Sequence, residues 1–211
     1  AGQTNEGRAF CYLGGAAGTA ATAAWTAESD QASASFGSAV AGAGDVNSDT
    51  FADAIVGAYL FDNGQADEGR VFGYHGSATG LAAAPAWTRE IDQAGAQFGW
   101  SVAFAGDVNG DGFADVIAGA NECTLGQASE GCAFAFHGGA AGIEAAAAWT
   151  VESNQASAEL GTDVGGAGDV NGDGYGDVVV GAHLINSGET DEGRAYVYLG
   201  SSSGLATSAA W

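Results

Sequence analysis

Trp25, Trp87, Trp149 and Trp211 stand 62 residues apart. Glu6-Gly7, Glu68-Gly69, Glu130-Gly131 and Glu192-Gly193 keep the same step, as do Gln31, Gln93 and Gln155, and Asp45, Asp107 and Asp169. No insertion or deletion breaks the register, so the 211 residues hold three periods and a leading fragment. A repeat this strict restricts the chain to architectures in which one supersecondary unit stacks on copies of itself. Helical solenoid units can reach a similar length, so the pattern inside the period has to decide.

Each period reads as four short strands. The first runs from Phe98-Gly99 to Gly106, the second from Asp115 to Ala120, and the third from Cys132 to His137. The third carries aromatics at alternate positions: Phe10/Tyr12, Phe72/Tyr74, Phe134/Phe136 and Tyr196/Tyr198. Alternation with aromatic and β-branched residues is a strand signature, and no helical stripe appears. The residues between those aromatics, Cys11, Gly73, Ala135 and Val197, are also apolar or small, so both faces of the strand are expected to be covered. Stacked propeller blades cover a sheet in that way. A Gly-rich turn, Gly76 to Leu81, leads to a fourth strand expected to end near Trp87. The fold class is therefore all-β: propeller blades of four antiparallel strands, three full blades plus a half blade. The expected divisions are 1–35 for the half blade (strands three and four), then 36–97, 98–159 and 160–211.

Composition removes several function classes. Hydrophobic residues make up 46% of the chain, too many for wholesale disorder, and 37 Gly without a three-residue period exclude collagen. No apolar run approaches the roughly 20 residues of a membrane span. Four Arg and no Lys against 26 Asp plus Glu give a net charge of −22. Such a chain is repelled by phosphate backbones and anionic lipid, so neither nucleic acid nor membrane insertion is expected, and it attracts cations. With no Met and no leader, it reads as a mature product, a processed piece or a segment of something longer.

The strongest chemical signal is a nine-residue acidic loop between the first two strands. It reads Asp107-Val-Asn109-Gly-Asp111-Gly-Phe113-Ala-Asp115 in one copy and Asp169-Val-Asn171-Gly-Asp173-Gly-Tyr175-Gly-Asp177 in the next. Side-chain oxygens fall at loop positions 1, 3, 5 and 9, and the position 7 carbonyl can point inward. Ca²⁺ takes six to eight such oxygens. About three Ca²⁺ ions, one per full repeat, are expected. An EF-hand is excluded, because position 12 holds Val56, Ala118 and Val180 where that loop needs a bidentate Glu. The first copy, Asp45-Val-Asn47-Ser48-Asp49-Thr50-Phe51-Ala-Asp53, keeps every ligand but replaces both glycines. Ser48 and Thr50 forced to positive φ are expected to weaken that site.

Phe36-Gly37 and Phe98-Gly99, the Gly-Asp-Val-Asn-Gly-Asp-Gly loop, and Val-Gly-Ala at 56–58 and 180–182 together resemble FG-GAP repeats. Those form the seven-bladed propeller at the head of integrin α subunits and of many bacterial secreted proteins. The resemblance implies Ca²⁺ in the loop between the first two strands of a blade. It also implies an extracellular or cell-surface setting and a role in adhesion or in recognition of a protein or glycan. Departures from the pattern are Tyr59, Asn121 and His183 in place of the family's Pro, and Leu160-Gly161 in place of the third Phe-Gly. The competing class is a propeller portion, catalytic or not, of a larger secreted enzyme. No constellation of unlike catalytic residues appears, and the chain is read as a non-enzyme.

Three smaller signals remain. Cys123 and Cys132 flank one loop in a single repeat, where the siblings have Phe61 or Ile185 and Arg8, Arg70 or Arg194. That joint appearance suggests a disulfide, with two separate thiols as the alternative, and Cys11 is left over. Gly200-Ser-Ser202-Ser-Gly204 matches a hydrolase nucleophile elbow, but sibling copies put Ala16, Ala78 and Ala140 in the Ser202 column, so a hairpin turn is expected. His75 and His137 share a column with Leu13 and Leu199 and read as packing residues; no zinc spacing appears. Three blades and a half cannot close a ring, so the open faces are expected to pair with the remaining blades of a parent propeller or by self-association.

Overall fold

A computed structural model describes residues 2–211. The described residues contain strands and turns and no helix. In chain order, β1 (Ala9–Cys11) is followed by a two-residue hairpin, β2 (Gly14–Gly15) and β3 (Gly18–Thr19), and by β4 (Trp25–Ala27). Two four-stranded blades come next: β5 (Ala39–Gly44), β6 (Asp53–Ala58), β7 (Arg70–Tyr74) and β8 (Trp87–Arg89), then β9 (Ser101–Gly106), β10 (Asp115–Ala120), β11 (Cys132–Phe136) and β12 (Trp149–Glu152). The last sheet has β13 (Leu160–Gly168), β14 (Asp177–Ala182) and β15 (Arg194–Tyr198). Within each sheet the order is sequential and every pair antiparallel, and β1 pairs with β4 alone.

Two strand expectations are corrected. The fourth strand begins at the Trp rather than ending there: Gly73 is paired with Trp87 and Val71 with Arg89. The Ala-rich stretch before each Trp has no alternating side chains to choose a face, so regular pairing starts where Trp, Thr and a charged or apolar residue alternate. The last sheet accordingly has three strands, not four; Trp211 stands in the column where the fourth begins, and its carbonyl accepts the Val197 N–H at 2.9 Å.

The blades stack face to face. β11 is buried along its whole length, as its pattern of small and aromatic residues anticipates. Successive residues of β10 feed opposite cores. Val116 and Ala118 join Phe98, Val102, Phe134 and Phe136 on one face, while Ile117 joins Leu160, Val164, Val178 and Trp149 on the other. A third core holds Ala9, Phe36, Val56, Phe72 and Tyr74 between the β1–β4 pair and the next blade.

Polar ties link neighbouring blades near both rims. Gln93 donates from Nε2 to the Thr124 carbonyl at 2.7 Å and accepts the Thr124 N–H at 2.7 Å; Gln31 clamps Asp62 in the same way. The indole of Trp25 donates to the Ala82 carbonyl at 2.8 Å, and that of Trp149 to the Ala206 carbonyl at 2.9 Å. Trp87 is the exception. The guanidinium of Arg89 donates to the carbonyls of Ile143 and Glu144, and the Trp87 indole N–H is left buried without a partner.

Candidate metal centre

Each acidic loop is built on its own backbone. At position 1, Asp107 accepts the N–H of Gly110 (2.7 Å), Asp111 (3.1 Å) and Gly112 (2.9 Å), and Asp169 repeats this with Gly172, Asp173 and Gly174. Asp45 accepts from Asp49 and Thr50. Position 3 accepts the position 5 N–H, and the position 5 carboxylate accepts the position 7 N–H in all three copies. The N–H of Phe51 holds Asp49 below the usual carboxylate range, with help from Asn47; the N–H of Gly174 does the same first among several for Asp169.

Position 9 is different. Asp53, Asp115 and Asp177 are buried at the start of the second strand. Asp115 Oδ2 accepts the Val108 N–H at 2.7 Å and Oδ1 the Gly138 N–H at 2.8 Å, joining the acidic loop to the turn after the third strand. Asp53 takes Val46 and Gly76, and Asp177 takes Val170 and Gly200. Burial pushes Asp53 up, and pushes Asp115 up to about 6, against the pull of those N–H groups. The oxygens of each loop are hard donors of the kind Ca²⁺ takes rather than a softer metal, but no loop brings ligand atoms of its three Asp side chains within 4.8 Å of one another. Among the described residues, three acidic side chains bring ligand atoms within 4.8 Å of one another at Glu6, Glu28 and Asp30, outside the loops, where Arg8 already engages Glu28.

The loops also bridge blades, which the sequence did not reveal. The Asp45 and Val46 carbonyls accept the N–H of Ala114 and Gly139 in the next blade, and those of Asp107 and Val108 accept Gly176 and Ser201. The partners lie a full blade away in sequence, so no local pattern marks them.

Positions 4 and 6 are left-handed in every copy: Gly110 at φ 74° and Gly112 at 89°, but also Ser48 at 59° and Thr50 at 77°. β-Branched Thr50 is strained there. Thr50→Gly is expected to stabilise the protein by about 1 kcal/mol, read as a higher denaturation midpoint, the strain relief exceeding the extra entropy glycine has when unfolded. An unchanged or lower midpoint would argue against strain at this loop.

A disulfide joins Cys123 to Cys132, with Cα atoms 5.6 Å apart, and Cys11 is free. Gly200–Gly204 is a turn closed by Gly204 N–H to the Ser201 carbonyl, not a strand-to-helix elbow. His75 Nδ1 lies 3.4 Å from Asn47 Nδ2, and the Nε2 atoms of His75 and His137 are buried.

A family model described as "FG-GAP repeat" matches residues 98–128 and 161–198. The chain carries FG-GAP repeats. Both matched FG-GAP segments contain an intact acidic loop; the copy with Ser48 and Thr50 lies outside them. The chain is 30% identical to integrin alpha-5 of Xenopus laevis over 182 residues, 82% of this chain and 17% of the relative. It is 35% identical to integrin alpha-4 of the same species over 159 residues, 72% and 15% respectively. Human integrin alpha-7 matches at 39% over 85 residues, 40% of this chain and 7% of the relative. The chain thus spans less than a fifth of the length of these curated relatives.

Proposed function

We propose that this chain is a calcium-binding stretch of an extracellular FG-GAP propeller that serves adhesion or recognition of a protein or glycan. The observation that carries the reading is the threefold return of one oxygen-rich loop in one backbone conformation, at the same place in successive blades. Asp107, Asn109, Asp111, the Phe113 carbonyl and Asp115 would hold one ion. Asp169, Asn171, Asp173, the Tyr175 carbonyl and Asp177 would hold the second, and Asp45, Asn47, Asp49, the Phe51 carbonyl and Asp53 the third. Bound there, the ion would supply structural chemistry: carboxylates that otherwise repel would be gathered, and a loop that ties two blades together would be locked. The integrin alpha relatives support the adhesive role and the surface setting. The blade divisions 1–35, 36–97, 98–159 and 160–211 are part of the same proposal. So is completion by further blades or a second copy, supported by Phe10, Tyr12, Leu13 and Val40, all exposed near the β1–β4 end.

Calcium added to chelator-treated protein is expected to raise the melting temperature. A site filled to ten times its Kd contributes about 1.4 kcal/mol. Asp111→Ala and Asp173→Ala are the informative variants, because both side chains are exposed and bond only within their own loop, whereas Asp115 also holds Val108 and Gly138. Each is expected to remove one ion from the calorimetric stoichiometry. Unchanged melting with calcium in the parent chain would overturn the metal reading.

A further inference from the structure

In three successive units a second glutamate follows the first by 22 residues: Glu6 and Glu28, Glu68 and Glu90, and Glu130 and Glu152. In the first two pairs an arginine faces the second glutamate across the sheet. Arg8 Nε lies 3.0 Å from Glu28 Oε2, and Arg70 Nε lies 2.8 Å from Glu90 Oε2. In the third, that column holds Cys132, which is directly opposite Glu152 and committed to the disulfide. No guanidinium is left for Glu152.

Glu130 is fully buried. Its Oε1 accepts the N–H groups of Leu125 (2.8 Å), Gly126 and Gln127 (2.9 Å), so the 121–131 loop is wrapped on this one oxygen. Its Oε2 is buried and receives no donor from any other group, and the same holds for Glu152 Oε2. Glu152 stands directly across the strand pair from Cys132, two residues after Glu130, and the charge of Glu130 bears on it. Ser153, next to Glu152, donates its hydroxyl to the Glu130 carbonyl at 2.8 Å. The surroundings offer nothing to neutralise a second charge. β11 presents Cys132, Ala133, Phe134, Ala135 and Phe136; the loop presents Glu122 besides Glu130; Ser153, Asn154 and Gln155 are neutral; Glu159 faces His183.

We propose that Glu130 and Glu152 share one proton, and that this carboxyl pair is a pH-operated latch on the disulfide loop 121–131. Facing carboxylates without a cation cannot both stay ionised. Burial, then the charge of Glu130, pushes Glu152 up. For Glu130 the penalty of burial is outweighed by the three backbone N–H groups, and it is held down. Glu152 therefore keeps the proton and donates it to Glu130 Oε2. Because the closed-state value of Glu152 lies above the ordinary glutamate value of about 4.3, the latch is fully made below that ordinary value. It is lost as pH rises through the raised one. Above it, Glu152 turns to solvent and the loop is held by its disulfide and the remaining bonds to Glu130.

The test is a ¹³C carboxyl titration of the full chain by NMR in the presence of chelator, with protease cleavage in the 121–131 loop followed across the same pH range. Glu152 is expected to titrate above about 4.3. Glu152→Gln supplies a permanent N–H donor, so at pH 7.5 its loop should be cut about tenfold more slowly than the parent's, the factor expected for one hydrogen bond, with the two converging at low pH. Cys123→Phe combined with Cys132→Arg recreates the sibling blade and is expected to bring Glu152 below the ordinary value. A parent Glu152 midpoint at or below that value would overturn the latch, as would equal cleavage of parent and Glu152→Gln at every pH. If added Ca²⁺ returns a raised midpoint to the ordinary range, the pair binds a cation and the shared proton is wrong.

Discussion

Gly119→Ala is expected to destabilise the protein by about 3 kcal/mol, at the upper end of ordinary overpacking. A Cβ on Gly119 would sit 1.9 Å from the Gly161 carbonyl oxygen and 2.5 Å from Ser101 Oγ. Neither neighbour can give way freely. Ser101 Oγ donates to that same Gly161 oxygen at 2.8 Å, and the Gly161 backbone carries the next blade. Gly57 meets the same backbone obstacle without the serine, its Cβ lying 2.0 Å from the Gly99 oxygen and 3.4 Å from the Ala39 Cβ. Gly181 occupies the equivalent column in the last sheet, and there the nearest atom would be 3.6 Å away. Gly181→Ala in this chain is therefore expected to be neutral or slightly stabilising. Denaturant melts of the two variants decide the matter; equal effects would mean that glycine in this column serves the strand itself rather than the approach of the next blade.

Trp149→Ala should cost about 4 kcal/mol, the range for removing a buried tryptophan from a core. The ring is 6% exposed and stacks edge-on against Tyr198, with centroids 4.9 Å apart. Phenylalanine separates packing from hydrogen bonding. Trp149→Phe keeps the aromatic body but loses the indole bond to Ala206, for a further test at about 1 kcal/mol. Trp87→Phe loses no hydrogen bond, because Arg89 has taken over the carbonyls on the neighbouring blade. It should be the milder of the two Phe variants, and the reverse order in chemical denaturation would refute this division of roles.

The 62-residue register exposed the blades, because stacked units must keep their length if residues in one column are to meet the same surroundings. Three of the four strands were legible from alternation, and the fourth was misplaced because alanine carries no face preference. The acidic loops stood out through spacing alone, down to the positive φ of Ser48 and Thr50. The glutamate column was visible but its burial was not. A Glu beside Gly reads as surface until its own loop is seen folding N–H groups onto it, as Leu125 to Gln127 do on Glu130. Gln31 and Gln93 were likewise noticed as a column, yet their partners lie 31 residues away on another blade, beyond any local pattern.

The ties between blades recur at fixed sequence distances: 31 residues for the Gln31 and Gln93 clamps, 57 for the Trp25 and Trp149 indoles. One residue added between the members of a tie shifts every later column, whereas duplication or deletion of an entire 62-residue unit leaves each surviving side chain facing an equivalent partner. Growth and shrinkage of such an array during its history are thereby steered toward whole units, and variation within a unit toward substitution. Cys132, in the column that holds Arg8, Arg70 and Arg194 in the other units, is a difference of that second kind at constant length.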